Sequence, residues 1–138
     1  DSFRHHAKVM LERLLVATDF SPCADGAIRY VAELAGKLGA QVCVVHASDE
    51  GEAKSLAQRK LDRMIRELER NGIQAENVCV AGDPVQVILK QAAVWQADVI
   101  AVGTQGRTGL SRLVLGSVAE AVLGRAGCPV LIVRNHPH

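Results

Sequence analysis

Aromatic residues are nearly missing from this chain: two Phe, one Tyr and one Trp in 138 residues. Hydrophobic residues still make up 49% of it. Its apolar stock is therefore Val, Leu, Ile and Ala, as in parallel sheets flanked by helices. An excess of either charge is also lacking, since 16 Lys and Arg stand against 15 Asp and Glu. That balance argues against a nucleic-acid surface, where one face must be basic. The densest basic stretch, Gln58 to Arg63, alternates with acids through Glu69 and reads as a solvated helix face. No run approaches the roughly 18 apolar residues of a membrane span, so no membrane insertion is expected. No secretory signal is visible.

Cysteine patterning is absent as well. Cys23, Cys43, Cys79 and Cys128 are spaced too widely for a zinc or redox motif. Cys43 and Cys79 fall in expected strands and read as small buried hydrophobes. Free thiols point to a reducing, cytoplasmic setting. No internal repeat or low-complexity segment interrupts the chain, and its length suits one domain. Asp1 to Met10 carries the adjacent His5 and His6, which read as part of a linker rather than a metal site. The expected division is an extension over residues 1–12 and one domain over 13–138.

What is present is an alternation. Leu14 to Ala17 is a short apolar run that reads as a buried strand. Ser21 and Pro22 then supply an N-cap and a first helical residue, with Asp25 in the first turn. Ala27, Ile28, Val31, Leu34, Ala35 and Leu38 keep a helical period, and Gly39 stops it. Val42 to Ala47 is a second strand. A helix follows from about Glu52 to Arg70 and ends at Asn71-Gly72. Val78 to Ala81 is a third strand, and Asp83-Pro84 opens a helix that finishes near Gln96. Val99 to Val102, a helix from about Ser117 to Arg125, and Val130 to Val133 complete the pattern. Trp95, near the end of the third helix, reads as a packing residue. Alternation of this kind calls for a mainly parallel sheet with helices on both faces.

Ligands of such sheets bind beyond the carboxyl ends of the strands, where the strand order reverses. With order 3-2-1-4-5 the crevice lies between strands one and four. Thr18, Asp19, Phe20 and Ser21 then face Gly103, Thr104, Gln105 and Gly106 across it, and His46, Ala47 and Ser48 form a third wall. From Gly103 the chain reads GTQGRTGLSRLVLGS. Gly103 and Gly106 are expected to turn with positive φ and to let backbone approach a ligand. Gly116-Ser117 opens the fourth helix, whose first amides are natural partners of phosphate oxygens. The Ser117 hydroxyl adds a donor, and Arg107 or Arg112 adds charge. Neither G-x-x-x-x-G-K-[ST] nor an early G-x-G-x-x-G occurs, which excludes the two standard nucleotide signatures.

These residues resemble the universal stress protein family. The matching features, in order, are LLVATDFS, VVHA, GDP, then G-x-x-G-x9-G-S through Gly103, Gly106, Gly116 and Ser117, and finally CPVLIV. The resemblance runs from about Leu14 to Val133. It implies an adenine nucleotide alpha hydrolase-like α/β fold with strand order 3-2-1-4-5, and membership of the ATP-binding branch. Carried over position by position, Asp19 and Ala47 would lie against the adenine, Ala47 through its backbone, and Ala17 and Thr18 also belong to the expected nucleotide site. Val102 and Gly103 would line the base and ribose. Gly106, Gly116, Ser117 and Val118 would hold the phosphates through amides and the serine hydroxyl, and Arg107 also belongs to the expected nucleotide site. Gln105 stands where the family commonly carries His or Arg, so ADP and AMP are expected beside ATP, with or without Mg. The resemblance also implies a homodimer through the last strand, whose apolar edge is a liability unless paired.

The resulting expectation is an adenine-nucleotide-binding regulatory module of the stress response, not a fast enzyme. A slow Mg-dependent ATPase is the alternative, for which His46 is a candidate base; a buried, hydrogen-bonded histidine is the plainer reading of that residue. A regulatory domain of a larger protein, such as a transporter, is the other alternative.

Overall fold

A computed structural model describes residues 10–104 and 115–134. Five strands form one parallel sheet: β1 (Arg13–Ala17), β2 (Gln41–Ser48), β3 (Ala75–Ala81), β4 (Val99–Gly103) and β5 (Val130–Val133). Their order is β3-β2-β1-β4-β5, as the family resemblance implies. Helices α1 (Pro22–Leu38), α2 (Lys54–Arg70), α3 (Pro84–Trp95) and α4 (Ser117–Arg125) make the connections.

The pleat of each strand feeds two separate cores. Leu14, Val16, Val42 and Val44 pack with Ile28 and Val31 of α1 and Leu61 of α2. Leu15, Cys43, Val45, Ile100 and Val102 turn the other way, onto Ile88 and Ala92 of α3 and Val122 of α4. Both faces are therefore covered by aliphatic side chains. Trp95 is a core residue: its Nε1–H donates to Glu76 Oε1 at 2.9 Å, and the Arg13 guanidinium lies 5.7 Å from its ring centroid. Cys43 is fully buried, and Cys79 only partly so. Among the described residues no helix is long and apolar enough to cross a membrane.

Caps follow the sequence. Ser21 Oγ accepts from Ala24 N at 3.2 Å, and Asp83 Oδ2 from Gln86 N at 3.0 Å. Gly39 adopts φ +68° and donates its amide to Ala35 O. Two boundaries differ from expectation by more than one residue. The second helix starts at Lys54, not Glu52, and Ala53 gives it no side-chain cap. The Glu52 carboxylate is committed instead to His46 and to Asp49 N–H. Strand β3 begins at Ala75, three residues before Val78. Its polar start hid it: Glu76 serves Trp95, and Asn77 bonds Gln58 and Asp62 of α2.

Candidate functional site

The strand order reverses between β1 and β4, and a cavity of about 310 Å³ opens there at the carboxyl ends. Nine of the expected site residues line it: Ala17, Thr18, Asp19, Ala47, Val102, Gly103, Gly116, Ser117 and Val118. Gly106 and Arg107, with Gln105 and Arg112, lie outside the described residues. Ser21, Ala24, Val45, Pro84, Ile88, Thr104 and Ala119 also line the cavity. Ser21 and Thr104 belong to the two strand ends that face each other in sequence. Val45, Ile88 and Ala119 carry only the period of a core residue, and Pro84 only a helix start, so no local signal marks them.

Three helices begin at this cavity, and they differ in one respect. α1 and α3 carry side-chain caps from Ser21 and Asp83, and each has proline, without an N–H, at its first position. α4 starts behind Gly116, with no side-chain cap bond. Among the described residues nothing claims its first amides, and they carry the positive end of the helix dipole. Gly116 N–H itself donates to Thr104 O, which ties the helix start to the end of β4.

Gly103 corrects one expectation. It is not among the glycines with positive φ. A β-carbon there would instead stand 2.8 Å from Cys23 O and 3.0 Å from Cys23 C. Glycine is needed at this position because the backbone of α1 crosses it closely.

The turn after β1 is pinned at each step. Thr18 Oγ1 accepts from Phe20 N at 2.9 Å, and Asp19 Oδ1 from Ser21 N at 3.0 Å. Phe20 sits at φ +65°, a conformation that non-glycine residues rarely adopt. Its ring packs on the His46 ring, with centroids 4.3 Å apart.

This turn leaves the β1–β2 ladder unfinished. Thr18 N–H donates to Val45 O at 2.9 Å. In a parallel ladder alternate residues face the same neighbour, so Ala47 also turns its backbone toward β1. The next two ladder bonds would be Ala47 N–H to Thr18 O and Phe20 N–H to Ala47 O. Neither forms among the described residues. Thr18 O is engaged by His46 Nδ1 at 2.8 Å, and Phe20 N–H by Thr18 Oγ1. Among the described residues Ala47 thus presents an open N–H and an open C=O at the cavity.

His46 is 2% exposed, and its Nε2 lies 2.6 Å from Glu52 Oε2. It is a buried, fully bonded histidine and does not line the cavity, nor does Ser48. Among the described residues no cluster of His, Cys, Asp or Glu is arranged to hold a metal ion.

Comparison with known proteins agrees with this architecture. The family model of the universal stress protein family matches residues 10–134. Universal stress protein MJ0577 of Methanocaldococcus jannaschii is 28% identical over 157 residues, covering 92% of this chain and 97% of its own. The solved structure of MJ0577 superposes with a TM-score of 0.82 at 31% identity, covering 94% of this chain and all of that one. A universal stress protein solved in complex with cAMP matches with a TM-score of 0.76 at 25% identity, over 91% of this chain and 98% of its own. The universal stress protein of Archaeoglobus fulgidus in complex with dAMP gives 0.69 at 27% identity, over 89% and 98%. The shared fold is the adenine nucleotide alpha hydrolase-like one. With its family signature spanning nearly the whole described chain, this protein belongs to the universal stress protein family.

Proposed function

We propose that this chain binds an adenine nucleotide (ATP, ADP or AMP) in the cavity between β1 and β4. Bound nucleotide then acts as a regulatory signal, read by a protein partner or by a second copy of the chain. The observation that carries the reading is that one cavity offers two complementary ends. At one end Ala47 presents an open N–H beside an open C=O. Adenine carries an acceptor ring nitrogen beside an exocyclic amine and matches that edge; guanine carries the reverse and does not. At the other end the uncapped start of α4 offers amides and the Ser117 hydroxyl to phosphate oxygens.

In this reading Ala17, Thr18, Asp19 and Ala47 surround the base, and Val102 and Gly103 the base and ribose. Gly116, Ser117 and Val118 take the phosphates, joined by Gly106 and Arg107. Relatives in complex with cAMP and dAMP support an adenine nucleotide as the ligand class. Regulation is favoured over catalysis because His46, the candidate base, is buried between Thr18 O and Glu52 and does not line the cavity. The homodimer would form through β5, the last strand of the sheet.

Calorimetry with ATP, ADP and AMP, with and without Mg, tests the proposal. Binding of at least one, weakened by Gly116→Val, is expected. A protein that ignores all three is not a nucleotide module. Rapid Mg-dependent phosphate release abolished by Gly116→Val would replace the regulatory reading with a catalytic one.

A further inference from the structure

The open edge at Ala47 has a cause inside the fold. A carbonyl oxygen can only accept, so the 2.8 Å contact between His46 Nδ1 and Thr18 O requires a proton on Nδ1. The same ring places Nε2 2.6 Å from Glu52 Oε2, and a proton is held between those two atoms. Glu52 also accepts Asp49 N–H through Oε1 at 3.2 Å. The carboxylate is thereby held on the turn that follows β2, and it fixes which ring nitrogen faces Thr18. Phe20 covers one face of the imidazole at 4.3 Å, and Lys60 Nζ lies 4.9 Å from the Phe20 ring centroid on the α2 side.

Without His46, the register offers Thr18 O to Ala47 N–H. Thr18 N–H already donates to Val45 O, one step earlier on the same ladder. A parallel ladder extends when the next donor and acceptor face each other. An unpaired N–H at a half-buried position has every reason to take that bond.

We infer that His46 is a positioning residue that sets base specificity: by drawing Thr18 O onto its ring, it turns that carbonyl out of line with Ala47 N–H and keeps the amide open for a purine ring nitrogen. Glu52, bonded at Nε2, holds the ring in the orientation that turns Nδ1 to Thr18 O. The specificity half of this inference rests on the proposed nucleotide reading; the ladder-breaking half does not. An adenine base then meets N–H and C=O together. If the amide is consumed by Thr18, only the Ala47 carbonyl is left, and discrimination between adenine and guanine declines.

The test has two parts. Amide hydrogen exchange by NMR, on nucleotide-free protein, should find Ala47 N–H exchanging fast in the wild type. It should be protected in His46→Leu, where β1 zips one residue further. The ratio of GTP to ATP dissociation constants should fall about tenfold in His46→Leu. His46→Gln, which keeps a donor, should recover part of that loss. An Ala47 amide already protected in the wild type overturns the inference, as does an unchanged ratio in a folded His46→Leu. Should His46→Leu not fold, the wild type still decides. Nitrogen shifts of the His46 ring must give a protonated Nδ1, and Ala47 must exchange fast; either result reversed refutes the assignment. A wild type that binds no nucleotide while Ala47 behaves as described removes the functional reading and leaves the ladder break standing.

Discussion

A β-carbon added to Gly103 would come within 2.8 Å of the carbonyl oxygen of Cys23. Backbone, not a flexible side chain, is the obstacle, so the first turn of α1 or the end of β4 must move. Gly103→Ala is expected to lower stability by about 1–3 kcal/mol, the range for overpacking a close-packed site. Denaturant unfolding should show a lower midpoint with an unchanged slope. Gly36→Ala is the control: it lies within α1, and a β-carbon there meets nothing within 4 Å. That substitution should raise stability by about 0.5–1 kcal/mol, because only helix propensity changes.

Ser117 gives a prediction in which stability and binding move in opposite directions. It is the first residue of α4, behind an uncapped Gly116, and it is exposed. A carboxylate at that position interacts favourably with the helix dipole, so Ser117→Asp should stabilise the fold by about 0.3–1 kcal/mol. The same charge stands where the proposed site holds phosphate. ATP affinity should therefore drop at least about tenfold, whereas adenosine, without phosphate, should lose little. Calorimetry with both ligands checks it. Equal losses for the two would move the phosphates away from α4.

Much of the fold is legible in the sequence because its signals are local. Ser21-Pro22 and Asp83-Pro84 each announce a helix start, and the caps form as the residue types require. Alternating short apolar runs and helical periods fix the two-layered covering of the sheet. What is not legible depends on distant partners. Glu76 and Asn77 look like loop residues until Trp95 and α2 supply their hydrogen bonds. Gly103 looks like a turn glycine, yet Cys23, far off in the chain, dictates it. The candidate site divides in the same way. Asp19, Gly116 and Ser117 stand out by motif, while Val45 and Ile88 are ordinary core residues in sequence and become cavity wall only through the sheet order. His46 reads from sequence as a buried, bonded residue, and it is one. That its ring stops the β1–β2 ladder can be read only once the register is known.

The thiols predict a pH response. Burial, with the Glu76 charge as a smaller cause, pushes the Cys43 thiol from 9.0 up to about 12. Cys79 and Cys128 are raised as well, by burial first and then by Glu52 and Asp98 respectively. The folded state therefore holds these protons more tightly than the unfolded chain. All are bound in both states below the unfolded value, so stability is unaffected there. Above it, the unfolded chain ionises first, and stability falls as pH rises from 9.0 toward about 12. Denaturation midpoints measured across that window should decline, and Cys43→Ala should make the decline shallower. At about pH 8 these three thiols should react slowly with a disulfide reagent in the native protein and quickly in denaturant.

The edge strand supplies the last prediction. Ile100 N–H donates to Pro129 O at 3.0 Å, and Ile100 pairs with Val130 in the parallel register. Alternate residues of a parallel strand face the same neighbour. Pro129, Leu131 and Val133 therefore turn their backbone groups to β4, while Val130 and Ile132 turn theirs to the outer edge. If two copies pair through β5, the N–H of Ile132 is one of the bonds between them. Ile132→Pro removes that donor without touching the β4 ladder, and proline is tolerated on an edge strand in this orientation. Sedimentation at micromolar concentration should give a dimer for the wild type and a monomer for Ile132→Pro, with circular dichroism unchanged. A wild-type monomer would mean that β5 does not pair with itself. A variant that stays dimeric would show that the two copies meet through another surface.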